Sequence, residues 1–351
     1  MDGVLVSLTE QPVETTLEYL GYMHEHGFRY IFTSLHMPEE NPLDLLEPLG
    51  RIGSFAGEHG MMFMADVSPR AFENFSLAEL KSSGVTGLRI DYGMGSREIA
   101  ELSHEWLVAF NASTIDQEFL SELRELGADF SSLQAWHNYY PRPETGLDFD
   151  SFTNRNAWLQ DQGLQVAAFI PGDGELRGPL HEGLPTLEQH RGQSPFASYL
   201  ELYQSGKVDH ILIGDLSLSD STMQQFIAWN EGAVLLRVHG ARPSHVWTQV
   251  HHNRPDIARD VIRSEDARRS YGASISIEPE NCMERPTGAL TLDNDNYKRY
   301  KGEFQIVLNP LPADERVNVI GYVDERDVPL LPFLQRSGHP FKFLVTMDKG
   351  R

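Results

Sequence analysis

Cysteine is nearly missing. Cys282 is the only one in 351 residues, so no intrachain disulfide can form and a cytoplasmic setting is favoured. Within Glu-Asn-Cys-Met-Glu it has no basic neighbour that would make it a nucleophile. Long apolar runs are missing as well, and none approaches the roughly 18 residues of a membrane span. Positive charge is scarce: 29 Lys and Arg face 51 Asp and Glu, a net charge of −22. That balance argues against nucleic acid and anionic membrane surfaces as partners, while leaving room for a small anionic ligand held by a few placed arginines. There is no Gly-x-Ser-x-Gly elbow, no P-loop and no His or Cys spacing of a zinc site, so neither a metal nor a cofactor is expected. Met1 runs almost directly into an apolar stretch, which leaves no room for a leader peptide.

What the chain has is a repeated alternation. Eight apolar runs lead through a polar residue into helix-like segments: Gly3–Leu8, Arg29–Ser34, Met61–Val67, Gly87–Tyr92, Trp106–Ala112, Ser131–Asn138, Leu164–Ile170 and Val208–Gly214. Strands covered by helices on both faces read as continuous apolar runs. Eight such units over about 230 residues predict an α/β fold, a (β/α)8 TIM barrel. Between the strands, helices are expected over Val13–His26, Leu43–His59, Asp150–Gln162 and Thr186–Ser205, with Ser76 and Asp116 as N-caps. Glycines follow the helices as stops.

After Glu231 the pattern changes. Strands are expected at Ala233–His239, His245–His251, Ala289–Leu292, Gly302–Leu308, Val317–Val323 and Phe341–Val345, with short helices at Asp256–Arg263 and Val328–Ser337. Residues 1–231 therefore form the barrel and 232–351 a smaller β-rich domain.

In a TIM barrel the chemistry lies at the C-terminal ends of the strands. Those ends carry Ser34, Asp66, Asp91, Asn111, His137, Asn138, Asp173 and Asp215. Two carboxylates facing one sugar suit glycoside hydrolysis, one as acid and one as nucleophile or base. Asp66, Asp91 and Glu182 are the catalytic candidates. Glu182 stands in the unusually long loop 171–185 and precedes the residue expected to cap the next helix, Thr186. Glu188 would then be a first-turn acid of that helix. Ser34, Asn111, His137, Asn138, Tyr139 and Asp215 are the expected sugar contacts, since amides, imidazole and phenol groups recognise hydroxyls. Arg177 in the long loop, and Arg237 and Arg254 early in the second domain, are the expected holders of an anionic group.

Several segments resemble one family. Phe32-Thr33-Ser34-Leu35, Asp66-Val-Ser-Pro69, His137-Asn-Tyr-Tyr-Pro141, Glu182-Gly-Leu-Pro-Thr-Leu-Glu188-x-His190-Arg191 and Leu292-Asp-Asn294 with Tyr297, Tyr300 and Gly302 look like the bacterial MupG-type 6-phospho-N-acetylmuramidases. The resemblance implies a cyclophilin-like second domain. It implies hydrolysis of the β-1,4 bond of N-acetylmuramic acid 6-phosphate–N-acetylglucosamine in cell-wall recycling, with that phosphorylated disaccharide as the partner. Whether the chain self-associates is left open by the sequence. Two other readings compete: a different phosphosugar barrel enzyme, and a non-catalytic sugar-phosphate binder. An aldolase would carry a Schiff-base lysine at a strand end, and none of the eight runs ends in lysine.

Overall fold

A computed structural model describes residues 2–35, 42–90, 93–240, 245–267 and 275–346. Asp91, one of the candidate carboxylates, lies outside the described residues. The chain divides into two compact units, Met1–Asp220 and Ser221–Arg351.

The first unit is a closed barrel of eight parallel strands in sequence order. They are β1 Asp2–Leu5, β2 Tyr30–Ser34, β3 Met62–Val67, β4 Gly87–Ile90, β5 Leu107–Asn111, β6 Leu133–Trp136, β7 Gln165–Ile170 and β8 His210–Ile213. Seven of the expected runs contain one of them each, and β1 overlaps the first run but starts one residue before it. β1 pairs with both β2 and β8, which closes the ring. The interior is a packed core of Leu5, Tyr30, Phe32, Met64, Ala109, Trp136, Ala167, Phe169 and Leu212. Large rings face small residues, as filling a tapered barrel requires.

Helices α1 Val13–Glu25, α2 Pro42–His59, α3 Pro69–Asn74, α4 Leu77–Ser82, α5 Ser96–Leu102, α6 Gln117–Glu125, α7 Phe149–Asp161 and α8 Pro195–Ser205 follow the strands. Ser76 and Glu79 form a reciprocal capping box on α4, and Asp116 accepts from the Phe119 amide to cap α6. Asp148, rather than a residue at the expected start, caps α7 through the Ser151 amide. Gly127 and Gly163 end α6 and α7 at φ 77° and 87°, a conformation that favours glycine.

One expectation about the helices fails. Thr186 caps nothing: residues Glu188–His190 form a single 3-10 turn, and α8 begins only at Pro195. The Thr186 hydroxyl instead donates to the Asn138 carbonyl and accepts from the Phe169 amide. The stretch before α8 is thus threaded between two strand ends.

The second unit holds a six-stranded mixed sheet ordered β10-β12-β11-β13-β9-β14. Its strands are β9 Val234–His239, β10 Val261–Arg263, β11 Ala289–Asp293, β12 Phe304–Val307, β13 Val317–Val323 and β14 Phe341–Val345. Among its described residues it has two helices, α9 Asp220–Asn230, whose first residue closes the barrel unit, and α10 Leu331–Ser337. Two expectations here are corrected. His245–Thr248 is a 3-10 turn rather than a strand, and Asp256–Arg263 holds β10 in place of a helix. Among the described residues no helix is long and apolar enough to cross a membrane.

Candidate active site

Side-chain direction along the barrel strands decides which polar groups reach its mouth. Successive residues alternate faces. Phe32, Met64 and Trp136 point into the barrel core, so Ser34, Asp66 and Asn138, two residues further on, share that inward face above them. β2 and β3 bring Ser34 opposite Asp66, and β3 and β4 bring Asp66 opposite Arg89. Arg89 Nη1 donates to Asp66 Oδ1 at 2.7 Å, and Nη2 donates to the Asn138 amide oxygen. Arg89 is only 4% exposed. A guanidinium with two fixed acceptors thereby sets the orientation of both a carboxylate and an amide.

Above this network lies a cavity of about 200 Å3, lined by Phe32, Asp66, Arg89, His137, Asn138, Tyr139 and Phe169. Tyr139 stands edge-on to Phe169, with ring centroids 5.3 Å apart. The hollow therefore offers an apolar floor, an aromatic wall, one carboxylate and one amide.

The long loop after β7 is held to its neighbours at fixed points. Asp215, fully buried, accepts from the backbone amides of Gly172, Arg177 and Leu184 at 2.8, 3.1 and 3.1 Å. Burial pushes its carboxyl up from the usual range, against the pull of those amides. Arg177, 4% exposed, donates from Nε to Glu10 and from Nη1 to the Tyr139 hydroxyl, each at 3.1 Å. Glu10 also accepts from the Gly178 amide. Three loops, after β1, β6 and β7, are thus joined through one guanidinium.

A second junction centres on Arg191. Its Nε and Nη2 donate to the Glu188 carboxylate at 2.7 and 2.9 Å. Nη1 donates to the carbonyls of Glu182 and Gly183 at 3.1 and 2.9 Å, and Nη2 to that of Tyr140 at 2.8 Å. Glu188 accepts further from the Glu144 and Gly146 amides. Arg191 holds the Glu188 carboxyl down at about 2. Glu182 itself is exposed, and its carboxylate makes no side-chain hydrogen bond among the described residues.

Two family models match the chain, 6-phospho-N-acetylmuramidase N-terminal over residues 3–228 and 6-phospho-N-acetylmuramidase C-terminal over residues 237–344. The chain belongs to the MupG family. It is 42% identical to a conserved Enterococcus faecalis protein of unknown function whose crystal structure superposes with a TM-score of 0.89, over 98% of this chain and 96% of that one. It is 26% identical to an uncharacterised B. cereus protein, with a TM-score of 0.74 over 98% of this chain and 99% of that one. No curated protein matches it.

Within this MupG-family chain the expected site residues separate into groups. Asp66, Asn138 and Tyr139 converge on the hollow, with Ser34 beside Asp66 in register. His137 borders the hollow, but its ring turns the other way, as alternation between Trp136 and Asn138 demands. It packs on Phe152 of α7 at 4.6 Å, bonds the Asn156 amide oxygen at 2.6 Å and is fully buried. Burial lowers its pKa to about 4. Sugar contact is therefore withdrawn for His137. Asp215 is withdrawn too, because backbone amides occupy its carboxylate. Asn111 uses its side-chain oxygen to accept from the Ser113 amide. It lines a different cavity of about 230 Å3, with Ile90, Phe110, Thr114 and Ile115.

The expected anion holders fare differently. Arg237 is fully buried within the second unit and forks onto Asp327, also fully buried, while Asp327 Oδ2 accepts from the Arg237 amide at 2.7 Å. That pair holds β9 and is closed to a ligand. Arg254 is bidentate to Asp256, two residues on, at 2.8 and 3.1 Å. Arg177 remains at the barrel mouth, committed to Glu10 and Tyr139.

Arg89, Glu10 and Arg191 were not among the expected site residues. Alternation could have found Arg89: it sits two residues beyond the inward Gly87 and opposite Asp66. Glu10 and Arg191 act through loop contacts, for which the sequence carries no periodic signal.

Proposed function

We propose that this chain hydrolyses the β-1,4 bond of N-acetylmuramic acid 6-phosphate–N-acetylglucosamine. The observation that carries the reading is the Asp66–Arg89–Asn138 network facing a small aromatic-walled hollow at the C-terminal ends of the barrel strands. The family supports the substrate class. A cytoplasmic place in cell-wall recycling and a cyclophilin-like second domain belong to the same reading.

In this mechanism Asp66, oriented by a charge-assisted bond from Arg89, is the anionic partner of the anomeric carbon, as nucleophile or as base for water. Glu182, with no partner holding its carboxyl, hands its proton to the leaving oxygen. Asp91, next after β4, completes the carboxylate set. Tyr139 and Asn138 contact the sugar, and Arg177 supports Tyr139.

The test is incubation with the phosphorylated and the unphosphorylated disaccharide, following free N-acetylglucosamine. Release from the phosphorylated form alone, lost in Asp66→Asn and Glu182→Gln, is the expected result. No release from either by the wild-type protein overturns the reading. Turnover near wild type in one carboxamide variant removes that residue from the mechanism. Proton NMR of the first anomer formed separates retention from inversion.

A further inference from the structure

We propose that Arg191 is a positioning residue that places the Glu182 carboxyl for proton transfer. The inference rests on the hydrolase reading above and adds to it a residue that touches no substrate.

The geometry is specific. Segment 182–186 runs beside 138–140: the Tyr140 amide donates to the Pro185 carbonyl, and the Thr186 hydroxyl donates to the Asn138 carbonyl. Asn138 and Tyr139 wall the hollow, so this pairing keeps the segment beside the mouth. Its first peptides have no strand or helix to fix them. Gly183 is in the left-handed region at φ 77°, and His181 at φ 54°. Two groups fix the backbone instead. Leu184 is held through its amide by Asp215, and the carbonyls of Glu182 and Gly183 are held by Arg191 Nη1.

Arg191 is in turn locked by the Glu188 carboxylate, which is anchored on the 144–146 turn. One planar guanidinium thus joins Glu188, the Tyr140 carbonyl and the 182–183 backbone. A lysine ammonium has three donors on a flexible stem and cannot reproduce that fork. What the clamp leaves unbonded is the Glu182 carboxylate, exposed at the end of a fixed backbone.

A proton donor must sit within hydrogen-bond reach of the leaving oxygen, and a displacement of about 1 Å costs about 10²-fold. A residue that only stabilises the loop lowers turnover of every substrate alike. One that acts through Glu182 lowers turnover only where a proton must be delivered.

The experiment compares wild type, Arg191→Lys, Arg191→Ala, Glu182→Gln and Glu182→Gln/Arg191→Lys on two substrates. These are the phosphorylated disaccharide and the 4-nitrophenyl glycoside of the same phosphosugar, whose leaving group departs without protonation. Arg191→Lys is expected to lower kcat on the disaccharide by about 10²-fold with KM within about threefold. On the aryl glycoside it should lose less than about tenfold, and added to Glu182→Gln it should lose less than about threefold more. Circular dichroism and thermal melts establish folding. If Arg191→Ala does not fold, Arg191→Lys carries the test. Equal losses on both substrates, unchanged disaccharide turnover, or a full additional loss in the Glu182→Gln background overturns the inference and leaves the hydrolase reading standing. A wild-type protein inert on both substrates overturns the reading, and the inference with it.

Discussion

Asp66 and Arg89 are direct register partners on adjacent parallel strands, and their side chains meet at 2.7 Å on the barrel's inward face. Two opposite charges delivered by one ladder step need no loop to bring them together. The same guanidinium reaches Asn138, two residues beyond the end of β6. The carboxylate is therefore oriented from the strands of the barrel itself.

Arg89→Leu should uncouple that orientation. Turnover of the phosphorylated disaccharide is expected to fall by about 10²-fold or more, since the carboxylate and the amide both lose their common anchor. Stability should drop by about 3 kcal/mol, because the largely buried Asp66 carboxylate would lose its guanidinium partner. Steady-state kinetics with urea unfolding checks both. A loss of stability with unchanged kcat would show that Arg89 serves the fold alone.

Removing one partner of the Arg237–Asp327 pair tests the corrected place of Arg237. Asp327→Ala removes the carboxylate onto which the Arg237 guanidinium forks, both side chains being fully buried, and should cost about 3–5 kcal/mol. Substrate KM measured below the unfolding transition should stay within about twofold. A large rise in KM with an intact fold would return Arg237 to the ligand.

His137 gives a pH signature. Its pKa is about 4 in the fold against 6.5 for a free imidazole, because burial disfavours the charged ring. The native state keeps it neutral while the unfolded state takes up a proton. Its contribution is therefore fully present above about pH 6.5 and is lost as pH falls towards 4, a swing of roughly 3 kcal/mol. His137→Gln should flatten the acid side of the stability profile between those values. An unchanged slope in urea melts at pH 4.5 and 7 would refute it.

Asp215 should govern the long loop. Asp215→Ala leaves the buried amides of Gly172, Arg177 and Leu184 without an acceptor, at about 1–3 kcal/mol for each one that finds no replacement. Limited proteolysis is expected to cut within 172–184 before any other site, with KM raised and the barrel's circular dichroism retained. Resistance equal to wild type would mean that other contacts hold the loop.

The barrel was legible because parallel strands buried on both faces cannot hide: each of the eight runs is continuous and is followed by a helix. Ser76 and Asp116 mark helix starts with local hydrogen bonds that need no tertiary information. The site was legible only where alternation could be counted. Asp66 and Asn138 fall on the inward face, yet His137, adjacent to Asn138, does not, and composition alone makes the two look equivalent. Thr186 has a capping residue's identity but spends its hydroxyl on a neighbouring strand end, a tertiary contact overriding a local preference. In the second unit, His245–Thr248 and Asp256–Arg263 are short segments whose form depends on sheet neighbours far away in sequence, so their local pattern misleads.

The strand that closes the ring also supplies, five residues beyond its end, the acid Glu10 that fastens Arg177 beneath Tyr139. Barrel closure and the aromatic wall thus share a single hinge pin near the amino terminus. Anything that frays those opening residues would unseat the wall before it unravelled the staves, so binding would be forfeited while most of the helical signal persisted.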